Sequence, residues 1–538
     1  MKARKIGSFI VAATMSLSLV LSGCGGSSQN ENSGNSTGAN SSTGTQSTAA
    51  SGPKQGGTLK IGTGQSVPVL GYTPKITTNA STQFLRISFD SLLFYDNDGK
   101  LVADLAEKWE TDPSAKTITF HLRSGVKFSD GTDFNADAVK WNIEEYQKMK
   151  RTETDNIKSV DAKDANTVVF NLKEWNSSAL TSIGYFIYYM SPTAVKTNGT
   201  EWAEKNPVGT GPFVLKEWNK GVKQKYVKND KYWQSGKPYL DGIEISEITE
   251  VMTLESSLKA GEIDLITYAD LSTVKATEGD SQFVKETNKN GVGVEGFGLI
   301  PNSSDPKSPF SKEKVRQAMC YAIDAESIIK TVGFGYIQTT NQWAAPGSVT
   351  YDKDVKGYPF DPAKAKQLLA EAGYPNGFDT VLNAVNAGIY GDVCTAAAKQ
   401  LSDVGIRAKI EIADNTKYSS MMANGWDGLM IHFNSIGPDL GLYMGRHLDP
   451  NGAFYAKGIL HPQDSLDLLD KIRKAADDQT KIKDSLELQK LIYDKYALFG
   501  KPLAVQSINT IKCNYVKDDN FHTPNASAWT PWTVWLNK

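Results

Sequence analysis

Cysteine is scarce. Only Cys24, Cys320, Cys394 and Cys513 occur among 538 residues, and no CxxC spacing is present. That excludes a zinc ribbon and a thioredoxin-like redox motif. With Cys24 set aside, an odd three remain; buried free thiols are expected of them, with one disulfide as the alternative. Histidine is equally sparse, with five residues and no HExxH, so a zincin-type centre is excluded. His432 and His447 are close enough in the chain to meet at a loop, where polar roles outweigh a metal or anion site. No phosphate-binding P-loop occurs. The formal net charge is −2 and no basic patch stands out, which argues against nucleic acid as a partner. Beyond the N-terminus no apolar run reaches the length of a membrane span. Nothing in the residue pattern supports an enzyme, and no catalytic residue, metal or cofactor is assigned.

What is present begins with Lys2, Arg4 and Lys5, followed by the uncharged run Ile6 to Leu21 and then Ser22-Gly23-Cys24. A positive start, an apolar run and small residues make residues 1–23 a secretory signal, with no stop-transfer pattern after it. Residues 25–57 lack large apolar side chains and cannot bury enough surface to fold. Residues 24–57 are therefore expected to be a flexible linker with an end-to-end reach of roughly 30 Å.

Over the whole chain 40% of residues are hydrophobic and 22% charged, an ordinary globular balance. Its length calls for two or three domains. Leu59 and Ile61 alternate with polar residues as in a strand, as do Ile118, Phe120 and Leu122. Phe84, Ile87, Leu92 and Phe94 have a helix-like spacing, and so do Val139, Ile143 and Tyr146. Val315, Ala318, Met319, Ala322 and Ile323 form one apolar helix face that Ser311 is placed to cap. Leu368, Leu369 and Ala372 face a core, and Gly373 ends that helix in the left-handed region. Gly209, Gly211 and Pro212 specify a backbone path with little room for side chains. Helix and strand patterns alternate through residues 380–500, which indicates an α/β fold. Trp529, Trp532 and Trp535 lie in an expected final strand.

Three motif matches carry no function. Gly291-Val-Gly-Val-Glu-Gly296 fits GxGxxG, but a dinucleotide site needs that pattern between a strand and a helix, and Pro301 soon follows. Ser256-Ser-Leu-Lys259 matches the SxxK of serine acyl-enzymes and reads as a helix surface. Gly34-Asn-Ser-Thr-Gly38 matches GxSxG inside the expected linker, where no strand or helix frames it.

Other blocks are specific in combination. They are Leu105-Ala-Glu-Lys-Trp109, His121-Leu-Arg-Ser-Gly-Val-Lys-Phe-Ser-Asp-Gly131, Asn206-Pro-Val-Gly-Thr-Gly-Pro-Phe213, Leu258-Lys-Ala-Gly-Glu-Ile-Asp-Leu265, Val315-Arg-Gln-Ala-Met-Cys-Tyr-Ala-Ile-Asp324 and Asp361-Pro-Ala-Lys-Ala-Lys-Gln-Leu-Leu-Ala-Glu-Ala-Gly-Tyr-Pro375. Their identity and order resemble the family 5 bacterial extracellular solute-binding proteins, the peptide- and nickel-type receptors of ATP-binding-cassette importers. Leu21 to Cys24 likewise resembles a bacterial lipobox, which implies cleavage before Cys24 and its lipidation.

The resemblance implies an α/β, two-lobed, type II periplasmic-binding-protein-like fold with an additional third domain. The expected partition is 58–86, 205–301 and 500–538 in the first lobe, 87–204 in the extra domain, and 302–499 in the second lobe, with hinge strands near 300 and 500. It also implies a monomer, anchored to the membrane by lipid on the extracytoplasmic side. Such a receptor captures a solute, typically an oligopeptide, for a permease; an oligosaccharide, chelated nickel or a sensing role are the alternatives. Candidate ligand residues are Tyr72, Asn302, Trp343, Tyr390, His432, Asn434 and Asp439. In the resembling dipeptide receptors an acid after the strand at 428–431 binds the ligand's amine. Asn434 stands at the matching position, with Asp439 as a substitute. Trp109, Trp218 and Trp233 fall in structural motifs and are expected in the core.

Overall fold

Leu59 and Ile61 are fully buried in the strand Thr58–Thr63, which lies at the parallel centre of a seven-stranded sheet. The computed structural model describes residues 52–538 apart from 97–99, 287–293, 345, 387, 438, 451, 453–454, 507–508 and 521–528. Cys24 and the GxSxG match therefore lie outside the described residues. The sheet runs Phe283–Glu286, Thr510–Cys513, Leu265–Thr267, Thr58–Thr63, Gly242–Glu247, Lys223–Lys228, Phe213–Asn219. It is the first lobe. A six-stranded sheet forms the second, in the order Gln338–Thr339, Lys501–Gln506, Val294–Pro301, Leu429–Ile436, Phe378–Val385, Ile406–Ala413. The third domain carries the sheet Ala106–Asp112, Thr117–Leu122, Thr167–Leu172, Ile157–Asp164. Each sheet has its own apolar core, and a smaller cluster around Phe89 and Met190 joins the third domain to the first lobe. Each fully buried Leu or Ile in these cores contributes about 1.5–3 kcal/mol.

The helix Ala136–Lys148 buries Val139, Ile143 and Tyr146 and is capped by Asn135, whose side chain accepts from Ala138 N. The helix Pro362–Glu371 is followed by Gly373 at φ 91°. Other local expectations change. The apolar run from Phe84 folds as one short turn, Leu85–Ser88, and a strand, Leu93–Tyr95, because its side chains are buried from several sides. Ser311 does not cap the helix Glu313–Tyr321. Lys312 holds the N-cap position without a side-chain bond, and Ser311 Oγ donates to Ser308 O. Trp109, Trp218 and Trp233 are half-buried at core margins. Trp535–Leu536 pairs only with Val516–Lys517, although Trp529 and Leu536 pack into the first lobe. Cys320, Cys394 and Cys513 are buried free thiols.

The position of two strands differs from the expected partition. Val294–Pro301 pairs along its whole length with Leu429–Ile436, and Lys501–Gln506 flanks it on the other side. Ladder hydrogen bonds therefore fix both strands in the second sheet, not the first. The chain passes between the lobes twice, between Glu286 and Val294 and between Gln506 and Thr510. The ends Glu295 and Gln506 thus face the joint, while Pro301 lies at the far end of its strand, about 20 Å away at strand rise.

Candidate functional site

Strand alternation sorts the joint into two faces. On one face, Glu295 and Phe297 point the same way as Phe433 and Gln506, which lie opposite them in register. Glu295 Oε1 accepts from Tyr390 Oη and from Gln506 Nε2 (2.7 Å), and Gln506 Nε2 also reaches Tyr390 Oη at 3.3 Å. Tyr390, Phe433 and Tyr418 stack nearly parallel at 5.0 and 5.4 Å. Burial pushes the Glu295 carboxyl above its ordinary range, while the Tyr390 and Gln506 bonds pull it back. The first lobe faces this group with Tyr268, a non-glycine residue at φ 55°. Burial raises the Tyr268 phenol, with the Glu295 charge adding to the effect, and its hydroxyl has no hydrogen-bond partner among the described residues.

On the opposite face, Gly296 and Gly298 leave room over the sheet. A Cβ on Gly298 would meet the Lys501 carbonyl at 2.4 Å, so that strand pair approaches too closely for any side chain. Trp343 fills the space, its ring tilted against His432 with centroids 5.0 Å apart and against Phe499 at 4.7 Å. His432 Nε2 meets His447 Nε2 at 3.2 Å, and His447 Nδ1 meets Tyr443 O at 3.0 Å. A carbonyl only accepts, so His447 carries its proton on Nδ1 and its Nε2 accepts from His432. His432 Nδ1 lies 3.3 Å from Tyr418 Oη, whose one proton is shared with Ile431 O at 3.1 Å. Burial lowers both histidines, His447 to about 4, and the pair is neutral. All four ring nitrogens serve this internal chain, which makes the pair part of the core. Asn434, opposite Gly296, shares the face; its Nδ2 and Trp343 Nε1 are buried without a partner among the described residues.

The third domain closes a third side. Trp175 Nε1 donates to Ala475 O at 3.1 Å, Ser177 Oγ to Ile472 O at 3.0 Å, and Ser178 Oγ to Asp439 Oδ1 at 2.9 Å. Tyr95 and Tyr185 form an aromatic wall, with ring centroids 5.0 Å apart. Arg86, fully buried and paired with Asp104 at 2.8 Å, lies under Phe94, Tyr185, Tyr188 and Trp532 at 5.5–5.9 Å. Burial raises the Tyr95 phenol, with Asp439 and Tyr443 of the second lobe adding to it. A cavity of about 200 Å³ at this seam, lined by Ser178, Phe186, Gly441, Arg446 and Arg473, falls short of the usual 300 Å³ or more of a ligand pocket.

The structure brings Trp343, His432 and Asn434 together and sets Tyr390 on the other face of the same strands. Asp439 is engaged elsewhere. It caps the helix Leu440–Leu448 through Leu442 N and pairs with Lys481 at 2.6 Å. Tyr72 is buried at the seam of the first lobe and third domain, donating to Glu145 Oε2 at 2.7 Å. Asn302 is at the far end of its strand, where its Nδ2 donates to Trp426 O and it lines a separate cavity of about 590 Å³. Sequence reasoning missed Glu295, Gln506 and Tyr268. Glu295 had a local signal: it is the one charge in the apolar run from Val292 to Ile300.

Two α/β lobes linked by two chain crossings, with a third domain beside them and unpartnered polar groups at the joint, define a two-lobed binding protein. The chain belongs to the bacterial extracellular solute-binding proteins, family 5, whose middle region matches residues 100–454. It is 34% identical over 339 residues to the glutathione-binding protein GsiB of Shigella flexneri, covering 61% of this chain and 64% of that protein. It is 32% identical over 346 residues to heme-binding protein A of Haemophilus influenzae, covering 58% and 61%. The chain thus spans less than two thirds of the length of these relatives. The Helicobacter pylori periplasmic binding protein DppA, solved with the peptide STSA, superposes with a TM-score of 0.76 at 25% identity, covering 90% of this chain and 99% of that one.

Proposed function

We propose that the chain is an extracytoplasmic receptor that encloses a solute, an oligopeptide, between its lobes and delivers it to an ATP-binding-cassette permease. The observation that carries this reading is the joint itself. Tyr268 Oη of the first lobe, on the Glu295 side, and Asn434 Nδ2 and Trp343 Nε1 of the second lobe, on the other face of the same strands, are buried without partners among the described residues. Burying such groups costs free energy unless a ligand satisfies them. The likeness to DppA solved with STSA supports the peptide class. Binding selects the closed state because only that state touches the solute from both lobes. The receptor does no bond chemistry and acts as a monomer.

Mass spectrometry of the solute released from denatured, freshly purified protein tests the class. Peptides are expected; an extract holding only oligosaccharide, a nickel chelate or another non-peptide species overturns the peptide reading. Loss of solute uptake on deleting the chain is expected of an importer, and unchanged uptake assigns a sensing role instead. Lipid attachment at Cys24 and a tether over residues 24–57 complete the proposal. Cys24→Ala should release the protein from the membrane fraction, and retention would refute the anchor.

A further inference from the structure

The departure at Asn434 leaves an open question for the receptor reading: what would hold a charged ligand amine? Glu295 precedes Gly296, the register partner of Asn434, so it stands on the neighbouring strand at the same end and points to the opposite face from Asn434. Its carboxylate is half-buried at the joint. Among the described residues no lysine, arginine or histidine neutralises it; its protein partners are the neutral donors Tyr390 and Gln506. Both converge on Oε1, which fixes the plane of the carboxylate and spends no donor on Oε2. From the opposite lobe comes Tyr268, whose buried hydroxyl has no partner among the described residues and whose backbone is held at φ 55°. The rings of Tyr390 and Phe433 flank the group. A carboxylate placed at low dielectric with dipoles but no counter-ion is costly on its own and suited to a cation arriving from outside. Aromatic faces beside it add attraction for an ammonium group.

We propose that Glu295 accepts a protonated amine of the captured solute, the task that an acid at position 434 performs in the resembling dipeptide receptors, with Tyr268 closing over the same group from the first lobe. The proposal deepens the receptor reading and rests on it. The ligand class it defines is a solute with a free primary amine.

The probes are an equimolar set of synthetic tripeptides with free amino termini and the same set N-acetylated, titrated calorimetrically into protein stripped of solute by unfolding and refolding. The free-amine set should bind at least ten-fold tighter than the acetylated set. Glu295→Gln should abolish that preference, and Glu295→Asp, which keeps the charge, should retain it at reduced affinity. Melting curves of both variants confirm folding. Equal binding of the two sets overturns the amine site and leaves the peptide reading intact, as does a preference unchanged by Glu295→Gln. Binding of neither set overturns the peptide reading, and amine-selective acetylation of the released native solute then decides the site: a mass shift supports Glu295, and none refutes it.

Discussion

At the scale of single residues, the structure separates positions that tolerate change from those that do not. A Cβ at Gly211 would lie 2.4 Å from the Ser88 carbonyl carbon and 2.6 Å from Phe89 N, whereas nothing lies within 4 Å at Gly391. Backbone cannot retreat as a flexible side chain can, so Gly211→Ala should destabilise by about 1–3 kcal/mol. Gly391→Ala, in the helix Tyr390–Asp403, should be neutral or stabilising by up to about 1 kcal/mol. Urea unfolding of the two variants distinguishes them. The histidine pair predicts a pH dependence. His447 titrates near 4 when folded and near 6.5 when unfolded. A histidine lowered by burial stabilises fully above its unfolded value, and that stability drains as pH falls toward the folded value. One such histidine costs about 2 kcal/mol between neutrality and about pH 5. His447→Gln should therefore lose less stability than wild type over that interval in parallel melting curves. Equal slopes would show that His447 does not contribute to the acid sensitivity.

At the scale of elements, one acid ties three segments. Asp439 receives Leu442 N at the start of the helix Leu440–Leu448, Ser178 Oγ from the third domain and Lys481 from the helix Asp478–Lys490. Asp439→Ala should cost about 3 kcal/mol, the low end for breaking a buried pair because Lys481 keeps some contact with water. Asp403→Ala, which removes the exposed pair with Lys399, should leave stability unchanged within error in the same denaturation series. Asp439 also shows where sequence reading stops. Its place just before an apolar helix was visible, but Ser178 is distant in sequence and no periodicity joins the two. The helix at 136–148 was legible because Val139, Ile143 and Tyr146 express their role locally. Asn302 lies away from the joint because the direction of its strand, and hence which end meets the joint, is set by pairing with Leu429–Ile436. Glu295 went unread for the opposite reason. Its exception to the apolar pattern was visible, but its meaning depends on Tyr268 from the other lobe. The family blocks were legible because they build cores and turns, while the residues proposed to meet the solute lie at positions that those blocks do not contain.

At the scale of the whole molecule, the second lobe is held to the rest by chain crossings, by apolar contacts of Tyr336 on the first lobe's core and Leu271 on the second's, and by a polar seam. Lys285 of the first lobe lies 4.1 Å over the Tyr336 ring, and Trp175, Ser177 and Ser178 of the third domain bond the second lobe. A cation–π contact contributes about 0.5–1 kcal/mol at an exposed site and a hydrogen bond about 1 kcal/mol net. These polar contacts are together worth only a few kcal/mol, within reach of a ligand's differential affinity. Solute-saturated protein should give a smaller radius of gyration by X-ray scattering than stripped protein, and identical curves would exclude lobe closure. The seam also makes affinity adjustable without touching the ligand. Trp175→Phe removes one donor to Ala475 O and keeps the ring, so it penalises only the closed state. With the unliganded receptor open, about 1 kcal/mol lost from closure weakens apparent affinity for the released solute about five-fold. The same substitution should leave the urea midpoint of the stripped, open protein nearly unchanged. An unaltered Kd would mean that the third domain and second lobe stay joined whether or not solute is bound, and closure would then lie wholly between the first lobe and the pair.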